Sequence, residues 1–181
     1  MELFIALLRG VNVNGKNKLN MQVLRQSLEQ AGYNEVQTYI QSGNILFKSA
    51  EINVDYLQKA LQKLIFSQFK FSVPVIVLTN EQLSKILIEN PFLSDLSVNV
   101  KGLYYCLLQQ YPQNSSQCLK NIPESKDNFI ITGKTVYLLV QNGYGNTKLN
   151  NNFFEKKLNV TATTRNHQTL QKLLEMSQNF R

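Results

Sequence analysis

The chain has 181 residues, a formal charge of +7 and a pI near 9.4, with 43% hydrophobic and 17% charged residues. That balance excludes a disordered chain and suffices for one domain or two small modules with a real core. No apolar stretch approaches the roughly 20 residues of a membrane-spanning helix. The opening Met1-Glu2-Leu3 to Leu8 run is short for a signal peptide and carries an acid where a basic region belongs, so the reading is a cytoplasmic protein without a membrane partner.

In chain order, Leu3 to Leu8 is a continuous apolar strand candidate. Met21, Leu24, Leu28 and Ala31 recur at helical spacing after a candidate N-cap, Asn20, and Gly32 ends that helix. Val36 to Ile40 and Ile45 to Phe47 flank Gln41-Ser42-Gly43-Asn44, a hairpin signal. Val54, Leu57, Leu61, Leu64 and Ile65 give a second helix, and Val73 to Leu78 a fourth strand, completing the order βαββαβ. A connecting helix from Glu81 to about Glu89 stops before Pro91. The order then repeats: a strand at 103–108, a short helix near 114–121, strands at 128–132 and 135–141, a helix near 151–158, a strand near 160–164 and a closing helix from His167 to Ser177.

This pattern predicts an α+β fold of two tandem ferredoxin-like βαββαβ modules with antiparallel or mixed sheets. The expected boundaries are residues 1–79 for the first module, 80–99 for a linking helix and loop, and 100–181 for the second module with its closing helix.

The net charge is not spread evenly. Residues 9–20 carry Arg9, Lys16 and Lys18 with no acid, residues 145–181 carry six basic residues against Glu155 and Glu175, and the remainder is neutral. Charge confined to two segments points to two local patches, or to one patch built from both. The first segment joins an apolar run to a helical pattern through Gly10 and Gly15, and glycines, free helix-start amides and cations together favour an oxyanion.

A fragment of it has an echo. Gly15-Lys16-Asn17-Lys18-Leu19-Asn20 partly repeats as Gly145-Asn146-Thr147-Lys148-Leu149-Asn150, again before a helix and a strand. In a right-handed βαβ unit, the loops leaving both strands emerge at one sheet edge. Gln41, Ser42 and Asn44 are therefore expected beside the loop holding Arg9, Gly10, Asn12, Gly15, Lys16 and Lys18. By the same rule Thr164, Arg165, Asn166 and His167 fall beside Lys148. These fourteen residues form the candidate ligand-binding set. Arg9 and Arg165 serve equally as bidentate oxyanion binders or as partners of backbone carbonyls, and Asn12, Asn44 and Asn166 suit turns as readily as ligands.

Catalytic machinery is sparse, so the sequence assigns neither a reaction nor a cofactor. His167 is the sole histidine, and a general-base role competes with a packing role. Cys106 and Cys118 lack metal or redox spacing and read as free thiols, and no metal site is expected. Gly10, four residues, then Gly15-Lys16-Asn17 fits most of a P-loop pattern, but Asn17 stands where a hydroxyl should bind magnesium and the helix starts at Asn20. Tyr33, Tyr39, Tyr104, Tyr105 and Tyr137 sit in strand or packing contexts.

Four segments carry a family resemblance: Ala6-Leu7-Leu8-Arg9-Gly10-Val11-Asn12-Val13-Asn14-Gly15-Lys16-Asn17-Lys18, Thr38-Tyr39-Ile40-Gln41-Ser42-Gly43-Asn44, Asn90-Pro91-Phe92 and Thr163-Thr164-Arg165-Asn166. They resemble the bacterial family of unknown function DUF1697. The resemblance implies a duplicated α+β fold and a bacterial cytoplasmic protein, and supplies no activity. Asn14 replaces a glycine common in the family, and His167-Gln168 replaces Trp-Asn, which removes an aromatic platform from a chain that has no tryptophan. The leading functional expectation is a phosphate- or carboxylate-bearing small ligand at the basic loops. A nucleic-acid module ranks second, since the central strands lack the basic, glycine and aromatic alternation of RNA-binding sheets. A noncatalytic structural or interaction protein is the third reading.

Overall fold

The computed structural model describes residues 1–13, 15, 17–113 and 126–180. The expected helix near 114–121, Cys118, Asn14 and Lys16 lie outside the described residues.

The chain divides into two units, Met1–Ser84 with Lys172–Arg181, and Lys85–Gln171. In the first, β1 (Glu2–Leu8), α1 (Met21–Gln30), β2 (Asn34–Tyr39), β3 (Asn44–Ser49), α2 (Val54–Phe69) and β4 (Val75–Thr79) follow the order read from periodicity. The sheet runs β2-β3-β1-β4 with every pair antiparallel. The sequence of β1 explains its central place. Its run Leu3 to Leu8 has no polar face to give to solvent, so Phe4, Ala6 and Leu8 join the core under the helices while Ile5 and Leu7, on the other face, are equally buried.

Helix α1 supplies Leu24 and Leu28 to that core, and α2 supplies Leu57, Leu61 and Ile65, the i, i+4, i+8 stripe that one helix face presents. Phe47 on β3 takes Phe4 at 5.8 Å and the edge of Tyr33 at 5.0 Å between ring centroids. Strand β4 is an edge, and Gln58 from α2 covers one of its amides: Val77 N donates to Gln58 Oε1 at 3.1 Å.

After β4, Thr79 and Gln82 exchange hydrogen bonds as a reciprocal cap that opens α3 (Asn80–Ile88). In the second unit, β5 (Leu103–Leu108), β6 (Asn128–Thr132), β7 (Thr135–Leu139), α4 (Asn151–Leu158) and β8 (Ala162–Asn166) precede α5 (His167–Gln178). The sheet order is β6-β7-β5-β8, again antiparallel throughout, so β5 takes the place of β1. Cys106, Leu108, Val136, Leu138, Phe154, Leu158 and Ala162 form its core, with Cys106 a buried free thiol.

The end of the closing helix groups with the first unit and not with residues 100–171, because the Ser177 hydroxyl lies 2.5 Å from Asn80 Oδ1 and Lys48 Nζ sits 5.9 Å from the Phe180 ring centroid. The echo also falls on non-equivalent connections: strand order makes β7-α4-β8 the counterpart of β3-α2-β4, whereas Gly15 to Asn20 leads from β1 into α1. What the echoed segments share is local, a buried leucine followed by a capping asparagine. Leu19 and Leu149 are buried, Asn20 caps α1 and Asn150 caps α4.

Among the described residues no helix is long and apolar enough to cross a membrane, and no group of three His, Cys, Asp or Glu side chains could hold a metal.

Gly43 is the tightest point of the first hairpin. Its φ is +75°, and a Cβ there would stand 2.6 Å from Leu8 Cβ and 2.7 Å from Val11 Cγ2. Gly10 and Gly15 share the positive φ but have open space around the same position. Gly43→Ala is therefore expected to lower unfolding free energy by about 2 kcal/mol or more, against about 1 kcal/mol for Gly10→Ala, in denaturant titrations.

Candidate functional site

The β1–α1 loop is organised by one side chain. Asn12, at φ +55°, accepts the Leu19 amide on Oδ1 at 2.8 Å, and its Nδ2 donates to Leu19 O at 2.9 Å and to Gln41 O at 2.8 Å. Asn17 closes the same loop from the other side, donating through Nδ2 to Gly10 O and accepting the Asn12 amide on its carbonyl. Because β1 and β2 both run antiparallel to β3, they are parallel to each other, and their exits lie at one end of the sheet. The Asn12–Gln41 bond and the Leu8 N to Gly43 O bond join those exits, as the topological argument required. Asn44 serves the hairpin itself, donating to Tyr39 O and Ser42 Oγ.

Arg9 is half-buried at the base of this loop and Lys18 is exposed on it, with no ion pair to Lys18 among the described residues. The amides of Gly10, Gly15 and Lys18 likewise make no hydrogen bond among the described residues. The helix start contributes less than the sequence argument assumed. Asn20 Oδ1 already accepts from Gln22 N and Val23 N, so two of the first-turn amides of α1 are taken by its own cap.

In the second unit, the predicted residues other than Lys148 fulfil internal roles. Lys148 is exposed. Thr164 donates to Asn151 Oδ1 at 2.7 Å, and Asn166 Oδ1 accepts from Thr169 N, which caps α5. Arg165 is buried on the β5-facing edge of β8, opposite Tyr105, and its Nη1 donates to Thr163 Oγ1 and Thr164 O at 2.9 Å. Burial pushes its guanidinium down to about 10, opposed by the Tyr144 hydroxyl, and it stays cationic at neutral pH.

Two residues that sequence reasoning did not place in the candidate set complete a buried relay. Asn90 donates through Nδ2 to the Tyr105 hydroxyl at 2.8 Å, and that hydroxyl lies 2.6 Å from His167 Nδ1. Asn90 Nδ2 thus donates into the tyrosine oxygen, and the Tyr105 hydroxyl and His167 Nδ1 share a hydrogen bond whose donor is set by the imidazole tautomer. Asn90 Oδ1 meanwhile accepts the Phe92 amide and caps a 3-10 turn at Pro91–Ser94. The signal available in sequence was the Asn90-Pro91 step, a capping residue before a proline at a first-turn position.

The arrangement up to here is that of an α+β protein with two antiparallel sheets and a glycine-containing basic loop at one sheet end. The profile of the family DUF1697, described as a protein of unknown function, matches residues 1–137, and the chain belongs to that family. Among solved structures, the conserved bacterial protein SP0830 from Streptococcus pneumoniae is similar over 98% of this chain and 99% of its own, at 23% identity and a TM-score of 0.75. That likeness is one of fold. The search of curated proteins gave no match.

Burial holds the His167 pKa below its ordinary 6.5 and raises that of Tyr105. An imidazole whose folded pKa is depressed binds fewer protons than the unfolded chain between the two values. Stability is therefore full above about pH 6.5 and declines as pH falls from there through the lower folded value. Thermal unfolding followed between pH 7.5 and 5 is expected to show this decline, and His167→Asn is expected to flatten it. Tyr105→Phe strands Asn90 Nδ2 and His167 Nδ1 in a buried setting and is expected to cost about 1–3 kcal/mol at neutral pH by denaturant titration.

Proposed function

We propose that this protein binds a small anionic ligand, phosphate- or carboxylate-bearing, at the end of the first sheet, and that its two units are tandem ferredoxin-like modules of a bacterial cytoplasmic protein. The module assignment is supported by the β2-β3-β1-β4 order and its repetition as β6-β7-β5-β8. The observation that carries the ligand reading is the β1–α1 loop itself. Its chain is pinned by asparagine carboxamides, its glycines hold positive φ, its amides at Gly10, Gly15 and Lys18 make no hydrogen bond among the described residues, and residues 9–20 contain basic side chains and no carboxylate. Loop amides and side-chain cations, rather than the capped start of α1, supply the attraction.

The proposed binding residues are Arg9, Gly10, Gly15 and Lys18, with Gln41 and Ser42 on the hairpin joined to the loop by the Asn12 clamp, while Asn44, fully buried, holds the hairpin.

Thermal-shift titration with orthophosphate and pyrophosphate tests it. A ligand that binds only the folded state at 100 times its Kd raises stability by about 2.7 kcal/mol. Lys18→Ala is expected to remove most of that gain while leaving the unliganded midpoint within about 0.5 kcal/mol, because Lys18 is an exposed surface residue. Arg9→Ala is expected to remove it as well. No stabilisation of the wild type by either anion, or equal stabilisation of the wild type and both variants, would refute the reading.

A further inference from the structure

Two aliphatic side chains stand where a site for a bare anion has no use for them. Val13 is 53% exposed and Ile40 is 50% exposed, and each adjoins one end of the Asn12 to Gln41 hydrogen bond that joins the loop to the hairpin. Ile40 also has φ +50°. A β-branched side chain is the least suited of the common residue types to that left-handed conformation, which asparagine and glycine adopt readily. The other loop positions with positive φ at this sheet end are filled accordingly, by Gly10, Asn12, Gly15, Asn17 and Gly43. Ile40 is thus an apolar residue that is both strained and only half covered, placed beside the sheet's most cationic loop.

An exposed isoleucine in this conformation contributes little to folding, since half its surface is still in water and its backbone works against it. Its side chain gains most from a bound group that covers it. The same argument applies to Val13 across the clamp. Val13 lies in the same loop as Lys18 and as the Gly10, Gly15 and Lys18 amides that make no hydrogen bond among the described residues, and Ile40 is joined to that loop through the Asn12 to Gln41 bond, so the complementary molecule has an anionic end and a flat or compact apolar body.

Resting on the reading above, we infer that the ligand is a phosphate ester whose organic part packs on Val13 and Ile40, a nucleoside phosphate, taken either free or as a unit of a single-stranded nucleic acid. Aliphatic side chains cover the face of a base without reading its edge, so the site discriminates for the presence of a base more than for its identity.

Isothermal titration of the full chain with orthophosphate, with each nucleoside 5′-monophosphate and with a short single-stranded oligoribonucleotide tests this. The variants are Ile40→Asn, which suits positive φ, and Val13→Ser. The wild type is expected to bind the monophosphates at least tenfold more tightly than orthophosphate. Ile40→Asn is expected to lose most of that advantage, keep its orthophosphate affinity, and unfold at a temperature no lower than the wild type. Val13→Ser is expected to weaken nucleotide binding in the same selective way. Tight binding of the oligonucleotide alone would support the ligand class and identify nucleic acid as its source. If orthophosphate binds and the nucleoside adds nothing, or if Ile40→Asn weakens both ligands equally, this inference fails while the anion site stands. If no anion of the series binds the wild type, the anion site and this inference fall together.

Discussion

Strand β1 is hydrogen-bonded on both edges and buried on both faces, and the arrangement of the first unit follows from that constraint. A strand with no solvated face must lie centrally, and its two partners, β3 and β4, must then be antiparallel neighbours drawn from later in the chain. Placing β3 beside β1 leaves β2 outside it and parallel to β1. The exits of β1 and β2 consequently share one end of the sheet, and residues about thirty positions apart in sequence become a single loop surface. Strand β5, with the equally apolar run Leu103 to Leu108, imposes the same order on the second unit.

Neutral carboxamides build the loops that this order brings together. Asn20, Asn53, Asn90, Asn99 and Asn150 cap helical turns, and Asn12, Asn17 and Asn44 pin the candidate site. Aspartate would satisfy the caps as well, and would add favourable charge at helix starts. A carboxamide offers a donor beside its acceptor, which Asn12 uses for its bonds to Leu19 O and Gln41 O, and it adds no negative charge to the loop. The basic character of residues 9–20 is thus preserved by the chemistry that folds the loop.

The second unit spends its polar residues differently. Tyr105 and Arg165 face each other across the β5–β8 register, Tyr137 packs its ring edge on Tyr105 at 5.6 Å, and His167 stacks on Tyr105 at 5.7 Å. Burial pushes Tyr137 up to about 12, with Glu89 and Tyr105 adding to the shift. A sheet face of this composition is satisfied by internal hydrogen bonds, and among the described residues no buried side-chain nitrogen or oxygen is left without a partner. Asn90 and His167, far apart in sequence, thereby depend on one tyrosine hydroxyl.

Local chemistry in the sequence determined the elements of this protein. The strand at Leu3 to Leu8, the Asn20 cap, the hairpin around Gly43 and the βαββαβ order of the first unit were all legible, because apolar periodicity, capping and positive-φ glycines act over a few residues. The family resemblance was legible for the same reason, being carried by short motifs. What the tertiary structure alone decided was how side chains with two possible uses are spent. Asn12 became a clamp, Arg165 a buried partner of Thr163 and Thr164, and Asn20 the competitor for the helix-start amides that an anion was expected to find. The roles of Asn90 and Tyr105 appeared only there, and so did the positive φ of Ile40, because a hydrogen-bond partner fifteen or sixty-two residues away and a single left-handed backbone angle leave no periodic trace in the chain.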